Sequence, residues 1–205
     1  EYMVYKPEKP DVAVVILPGG SWQIGSIDPT TNLPDGSNIL IRSIPLMQQK
    51  GMAVFLMNKP INSPDLSDAP SRYSQEHGRD ILVVIEQAKK LNIPVFLFGT
   101  SYGALSSGAV LNLPERRGIS GLALASPTTR RKDSVGLLDF DLSGFDIPTL
   151  IIFHEKDACG GSMPRRVPEL KSALRKSPSV TVISIASGAS PTGNICGPTH
   201  WHGFI

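Results

Sequence analysis

No run of about eighteen consecutive apolar residues occurs in the chain, so nothing in it reads as a membrane-crossing helix. Net charge is nearly absent too: 20 Lys and Arg stand against 18 Asp and Glu, leaving +2. Outside Arg130-Arg131-Lys132 and Arg165-Arg166 the basic residues are scattered. A nucleic-acid partner, which needs a basic face, is therefore not expected, and both clusters read as solvated loops. Neither Gly-x-Gly-x-x-Gly nor a P-loop lysine is present, which removes the common phosphate-cradling loops, and no cofactor is expected. Histidine numbers four and cysteine two, so any role needing an imidazole or a thiol has few candidates.

What the chain does have is enough apolar material, 40% of 205 residues, for one well-buried core, and residues 1–205 are read as a single domain. Short continuous apolar runs at 12–17, 53–57, 95–98, 122–125, 150–153 and 180–185 read as strands covered on both faces, hence a parallel sheet. Between them, Ile81, Val84, Ile85, Ala88 and Leu91 share one helical face, while Arg79, Glu86, Lys89 and Lys90 take the other. Residues 37–49, with Pro45 kinking or splitting the segment, 102–112 and 165–176 supply the remaining crossovers. The expected product is a doubly wound α/β domain, mostly parallel, with helices on both faces and residues 2–5 as an antiparallel edge strand. Because the chain opens directly on that strand without an initiating methionine, an upstream segment, such as a signal peptide, is expected to have been removed.

Two long polar connectors, 21–36 and 58–71, leave the carboxyl ends of the first two parallel strands, the side on which open α/β sheets bind ligands. Trp22, Trp201, Asn58 and Lys59 are candidates for the mouth of a site there. Residues 126–148 are about two dozen, too few for an independent lid domain, so an open site is expected.

The most informative segment is Gly99-Thr100-Ser101-Tyr102-Gly103, set between the apolar strand ending at Phe98 and the small-residue helix that follows. Gly-x-Ser-x-Gly at a strand-to-helix turn is a nucleophile elbow: the serine backbone is strained and its neighbours must be small. A serine hydroxyl needs a base within reach and a carboxylate to orient that base, in the chain order Ser, acid, His on this architecture. Asp157 lies just past the 150–153 strand and is the preferred acid, with Glu155 the alternative. After the last strand come His200 and His202, of which His202 is preferred as base. His77, at a helix start, reads as a surface residue, and His154 as a packed, hydrogen-bonded one. An oxyanion hole would take the backbone N–H of Tyr102 and a second N–H from the Pro18-Gly19-Gly20-Ser21-Trp22 turn, either Gly20 or Ser21.

Taken together these residues resemble the α/β-hydrolase superfamily over nearly the whole chain, from Val12 to Phe204. The closing segment, from Gly188-Ala189-Ser190-Pro191 through Cys196 to His202-Gly203-Phe204, is similar to a bacterial subgroup of uncharacterised, esterase-like serine hydrolases with a cysteine before the final His-Gly-Phe. The resemblance implies a triad of Ser101, Asp157 and His202. Cys159 lies two residues beyond Asp157 and Cys196 six before His202. A Cys159–Cys196 disulfide would tie the acid loop to the base loop, contribute about 3–4 kcal/mol in the chain-entropy model, and imply a periplasmic or secreted protein. Two free thiols would imply a cytoplasmic one. The function expected is cleavage of an acyl bond, first of all a carboxylic ester of a small or polymeric substrate; oligomeric state is unreadable. Two alternatives stay open: a metal-dependent hydrolase using His154, Asp157, His200 and His202, and a non-catalytic binding module on the same fold.

Overall fold

A computed structural model of the protein describes residues 2–22, 24–59, 66, 69–130 and 135–204. Among them one sheet contains seven strands: β1 (Tyr2–Tyr5), β2 (Val12–Leu17), β3 (Met52–Met57), β4 (Val95–Thr100), β5 (Gly121–Ala125), β6 (Thr149–His154) and β7 (Val180–Ile185). Their spatial order is β1-β3-β2-β4-β5-β6-β7. β1 pairs antiparallel with β3, and the other neighbours pair parallel. The continuous apolar runs form the interior strands as expected: β2 and β3 are buried along five of their six residues.

The described helices are α1 (Ile39–Arg42), α2 (Ile44–Gln49), α3 (Ala69–Arg72), α4 (Gln75–Lys89), α5 (Gly103–Leu111) and α6 (Val167–Ala173). Pro45 does split the 37–49 segment, sitting in the first turn of α2, where its missing N–H is no loss. α4 is capped by Ser74, whose hydroxyl accepts from the His77 N–H, and buries the stripe His77, Gly78, Ile81, Val84, Ile85 and Ala88. α5 is buried along its whole length, which its Ala, Gly and Ser content permits.

Two expectations need correction. β7 is not buried on both faces: it ends the sheet, no residue of it is fully buried, and Ile183 is 43% exposed. The 165–176 helix is shorter than read, a single 3-10 turn at Pro164–Arg166 followed by α6, because Leu174 leaves helical backbone geometry. The helices leave part of one face of the sheet open. On the face that carries α2, Phe98, Ala123, Leu150 and Thr181 stand in one lateral row across β4 to β7. With Met47 and Pro148 they line an apolar concavity of about 560 Å³. Part of the 58–71 connector and residues 131–134, which include part of the first basic cluster, lie outside the described residues. The described part of 126–148 holds only a 3-10 turn, Leu137–Asp139.

Candidate active site

β4 carries the chain into the turn at Ser101, whose φ of +51° lies in the left-handed region that non-glycine residues avoid. The turn is held by its neighbours: Ser101 N–H donates to Ala125 O at 3.1 Å and Thr128 N–H donates to Ser101 O at 3.2 Å. A side chain at Gly99 would strike the Gly103 carbonyl, and one at Gly103 would strike the Leu17 carbonyl. The two small positions are therefore required by close approach of backbone to backbone. α5 starts at Gly103, so its N-terminal end faces the serine and favours negative charge there.

Asp157 lies three residues beyond β6 and is 4% exposed. Its two oxygens are both engaged: Oδ1 accepts from Cys159 N–H at 2.9 Å, and Oδ2 lies 2.9 Å from His202 Nδ1. With Nδ1 committed to the carboxylate, Nε2 is the nitrogen left to meet a substrate or hydroxyl proton. Ser101 and His202 line one cavity of about 270 Å³, without a hydrogen bond between their side chains. Glu155 is exposed and His200 packs edge-on against Trp201, with centroids 5.1 Å apart, so neither enters the pair. His154 is packed as expected: its ring stacks on Trp201 and its Nδ1 accepts from Lys156 N–H. Among the described residues no three His, Cys, Asp or Glu side chains gather closely enough to hold a metal, so the four residues of the metal reading are not a site.

The base turn, a 3-10 turn at Trp201–Gly203, is fastened twice. Cys159 and Cys196 form a disulfide, with Cα atoms 4.7 Å apart, and Cys196 also lines the cavity. Arg42 of α1 donates to Pro198 O at 2.9 Å and to Gly203 O. Opposite lie Gly19, Gly20 and Ser21, which line the cavity together with Ser37, Asn38 and Ile39. Tyr102, the other expected N–H donor, caps α5 and is half-buried.

Trp22 is 1% exposed, and its Nε1–H donates to Met57 O at 2.7 Å. One further expectation around this site needs correction. His77 is not a surface residue. It is 2% exposed, on the buried stripe of α4, with Nε2 2.9 Å from Ser106 Oγ and its ring edge-on to Trp22. Burial, and then the charge of Arg72, push its imidazole down to about 3. Asn58, Lys59 and Trp22 line a second cavity, of about 460 Å³, which borders the first at Ser21. For Arg42 and Arg72 the sequence carries no signal: an arginine in a short polar stretch does not show there what it will hold.

No protein-family model matches the sequence, and no curated protein matches it. Solved structures do. A lidless α/β serine hydrolase from Xanthomonas campestris aligns with a TM-score of 0.60 at 18% identity, over 89% of this chain and 77% of that one. A thermophilic esterase from Thermogutta terrifontis aligns with a TM-score of 0.55 at 17% identity, over 90% and 77%. An acetyl ester-xyloside bifunctional hydrolase from Caldicellulosiruptor lactoaceticus gives 0.56 at 16% identity, over 91% and 77%.

Proposed function

We propose, from the premise that this chain has the α/β-hydrolase fold, that it is a serine hydrolase cleaving an acyl bond, first of all a carboxylic ester. The observation that carries the reading is the buried Asp157–His202 hydrogen bond at the rim of the cavity into which the strained Ser101 turn opens. Ser101 Oγ attacks the acyl carbon while its proton passes to His202 Nε2. The bond to the alcohol oxygen then breaks as Nε2 returns that proton to the leaving group. Water repeats the sequence on the acyl-enzyme, releasing the acid and restoring Ser101. Asp157 keeps Nδ1 protonated and stabilises the imidazolium. Tyr102 N–H and the N–H of Gly20 or Ser21 receive the oxyanion. The esterases among the structural relatives support the ester over an amide or thioester. The small number of residues available for a lid supports access for bulky or polymeric esters.

The test is intact-mass analysis after treatment with a fluorophosphonate, on wild type and Ser101→Ala, alongside p-nitrophenyl esters of increasing acyl length. One adduct and ester turnover on wild type, with neither on the variant, is the expected result. An unlabelled, well-folded wild type that turns over no ester rejects the reading, and strict selectivity for acetyl counts against the bulky-substrate part.

A further inference from the structure

The Gly19-Gly20-Ser21 turn poses a physical problem. Glycine tolerates either hand of backbone, and Gly20 sits at φ +61°, so the peptide planes of this turn have little intrinsic reason to face one way. A plane turned over would put a carbonyl oxygen, rather than an N–H, against the negative charge developing on a substrate. Something must fix the turn from behind.

Arg72, the last residue of α3, lies there. It is fully buried, at 0% exposure, and does not line the cavity that Gly19, Gly20 and Ser21 line. Its guanidinium donates from Nη1 to Pro18 O at 3.0 Å and from Nη2 to Gly20 O at 2.5 Å. Its own placement is set by Nε donating to Leu66 O at 2.7 Å, by Nη1 reaching Ser106 Oγ at 3.3 Å, and by the Trp22 ring 4.5 Å from the guanidinium carbon. Trp22 and His77 hold that frame in turn, through Met57 O and Ser106 Oγ.

In a trans peptide the carbonyl and the following N–H point in opposite directions, and the described chain has no cis bond. Pro18 O shares its peptide with Gly19 N–H, and Gly20 O shares its peptide with Ser21 N–H. With both oxygens drawn to the guanidinium, the Gly19 and Ser21 N–H groups face away from Arg72. The intervening plane is set differently: Gly19 O accepts from Trp22 N–H at 3.4 Å. The charge-assisted bonds also polarise the two outer peptides, which makes their N–H groups stronger donors. We propose that Arg72 is the positioning residue of the oxyanion loop, selecting the N–H of Ser21 rather than that of Gly20 as the donor to the reacting carbonyl. The role rests on the acyl-hydrolase reading above.

Arg72→Lys tests it, since an ammonium is a compact point charge without the planar fork that spans two carbonyls. The expected result is a folded protein whose kcat for p-nitrophenyl acetate falls about 10²-fold with KM within about threefold. Affinity for phenylboronic acid, which becomes tetrahedral on Ser101 and places an oxygen in the hole, should fall by a similar factor. A merely structural role would lower the melting temperature and leave kcat per folded molecule unchanged. Folded Arg72→Lys with kcat and boronate affinity near those of wild type overturns the assignment. If that variant does not fold, Trp22→Phe, which loses the Nε1 bond to Met57 O, should show the same split at roughly three- to tenfold, and an unaffected Trp22→Phe overturns the assignment too. The two failures are distinguishable. A wild type without adduct or turnover rejects the hydrolase reading and this role with it, whereas an active wild type with unaffected variants rejects the role of Arg72 alone.

Discussion

Between Trp22 and Ser106 the imidazole of His77 is kept uncharged, and this has a consequence for the pH dependence of folding. In the unfolded chain His77 takes its proton near pH 6.5, in the folded protein only near about 3. Between those values the unfolded state binds more protons, so stability falls as pH falls. The contribution is complete above about pH 6.5 and is lost progressively toward pH 3. Thermal melts at pH 7, 5 and 4 should show a steep loss in wild type and a shallower one in His77→Gln; coincident slopes would contradict the buried, neutral assignment. His77, Trp22 and Arg72 were illegible in the sequence for a shared reason. Each is polar or amphipathic and lies in a segment of surface-like composition, and their burial comes from the 18–22 turn crossing over α3 and α4, a tertiary fact. Ser101 and Asp157 stand just past the ends of β4 and β6, so local pattern carries their placement, whereas the contact of His202 with Asp157 depends on how the long segment after β7 folds back.

At the scale of elements, the acid loop and the base turn leave the sheet from β6 and β7 and meet through the stacked His154 and Trp201 rings, while the connector that leads into the base turn has little packing of its own. Residues 192–196 are exposed throughout. That connector is fastened covalently and by polar bonds: the Cys159–Cys196 disulfide, with a sequence separation of 37, and the bonds from Arg42 to Pro198 and Gly203. A closed loop of that length contributes about 4 kcal/mol in the chain-entropy model. Replacing both cysteines by alanine should lower the melting temperature by roughly 10 °C. It should also reduce kcat/KM, because the pair that orients the imidazole loses its tether. A double variant with wild-type melting temperature and turnover would show the tether to be idle. The strand set was legible because interior parallel strands are apolar on both faces. β7 was misread for a related reason: Val180, Val182, Ile183 and Ile185 look like an interior strand, and only the sheet order reveals that it has a neighbour on one side alone.

For the molecule as a whole, the two faces of the sheet are unequal. On one, Leu97, Leu124 and Ile151 are fully buried. On the other, Phe98, Leu150 and Thr181 line the 560 Å³ concavity, and Ile183, two residues beyond Thr181 on the same face of β7, is 43% exposed. Apolar side chains gathered in one concavity, rather than scattered singly, offer a place for apolar solutes. It lies on a face of the sheet, whereas the Ser101 cavity lies at the carboxyl ends of β2 and β4, so the two can be perturbed separately. The native protein at neutral pH should accordingly enhance the fluorescence of anilinonaphthalene sulfonate while its melting transition stays cooperative, which separates the effect from that of a partly unfolded state. Leu150→Thr, which keeps strand propensity and removes apolar area at the centre of the concavity, should remove most of the enhancement and leave ester turnover intact. Enhancement that persists in Leu150→Thr would place the dye elsewhere, and an absence of enhancement in wild type would mean that the face is covered in solution.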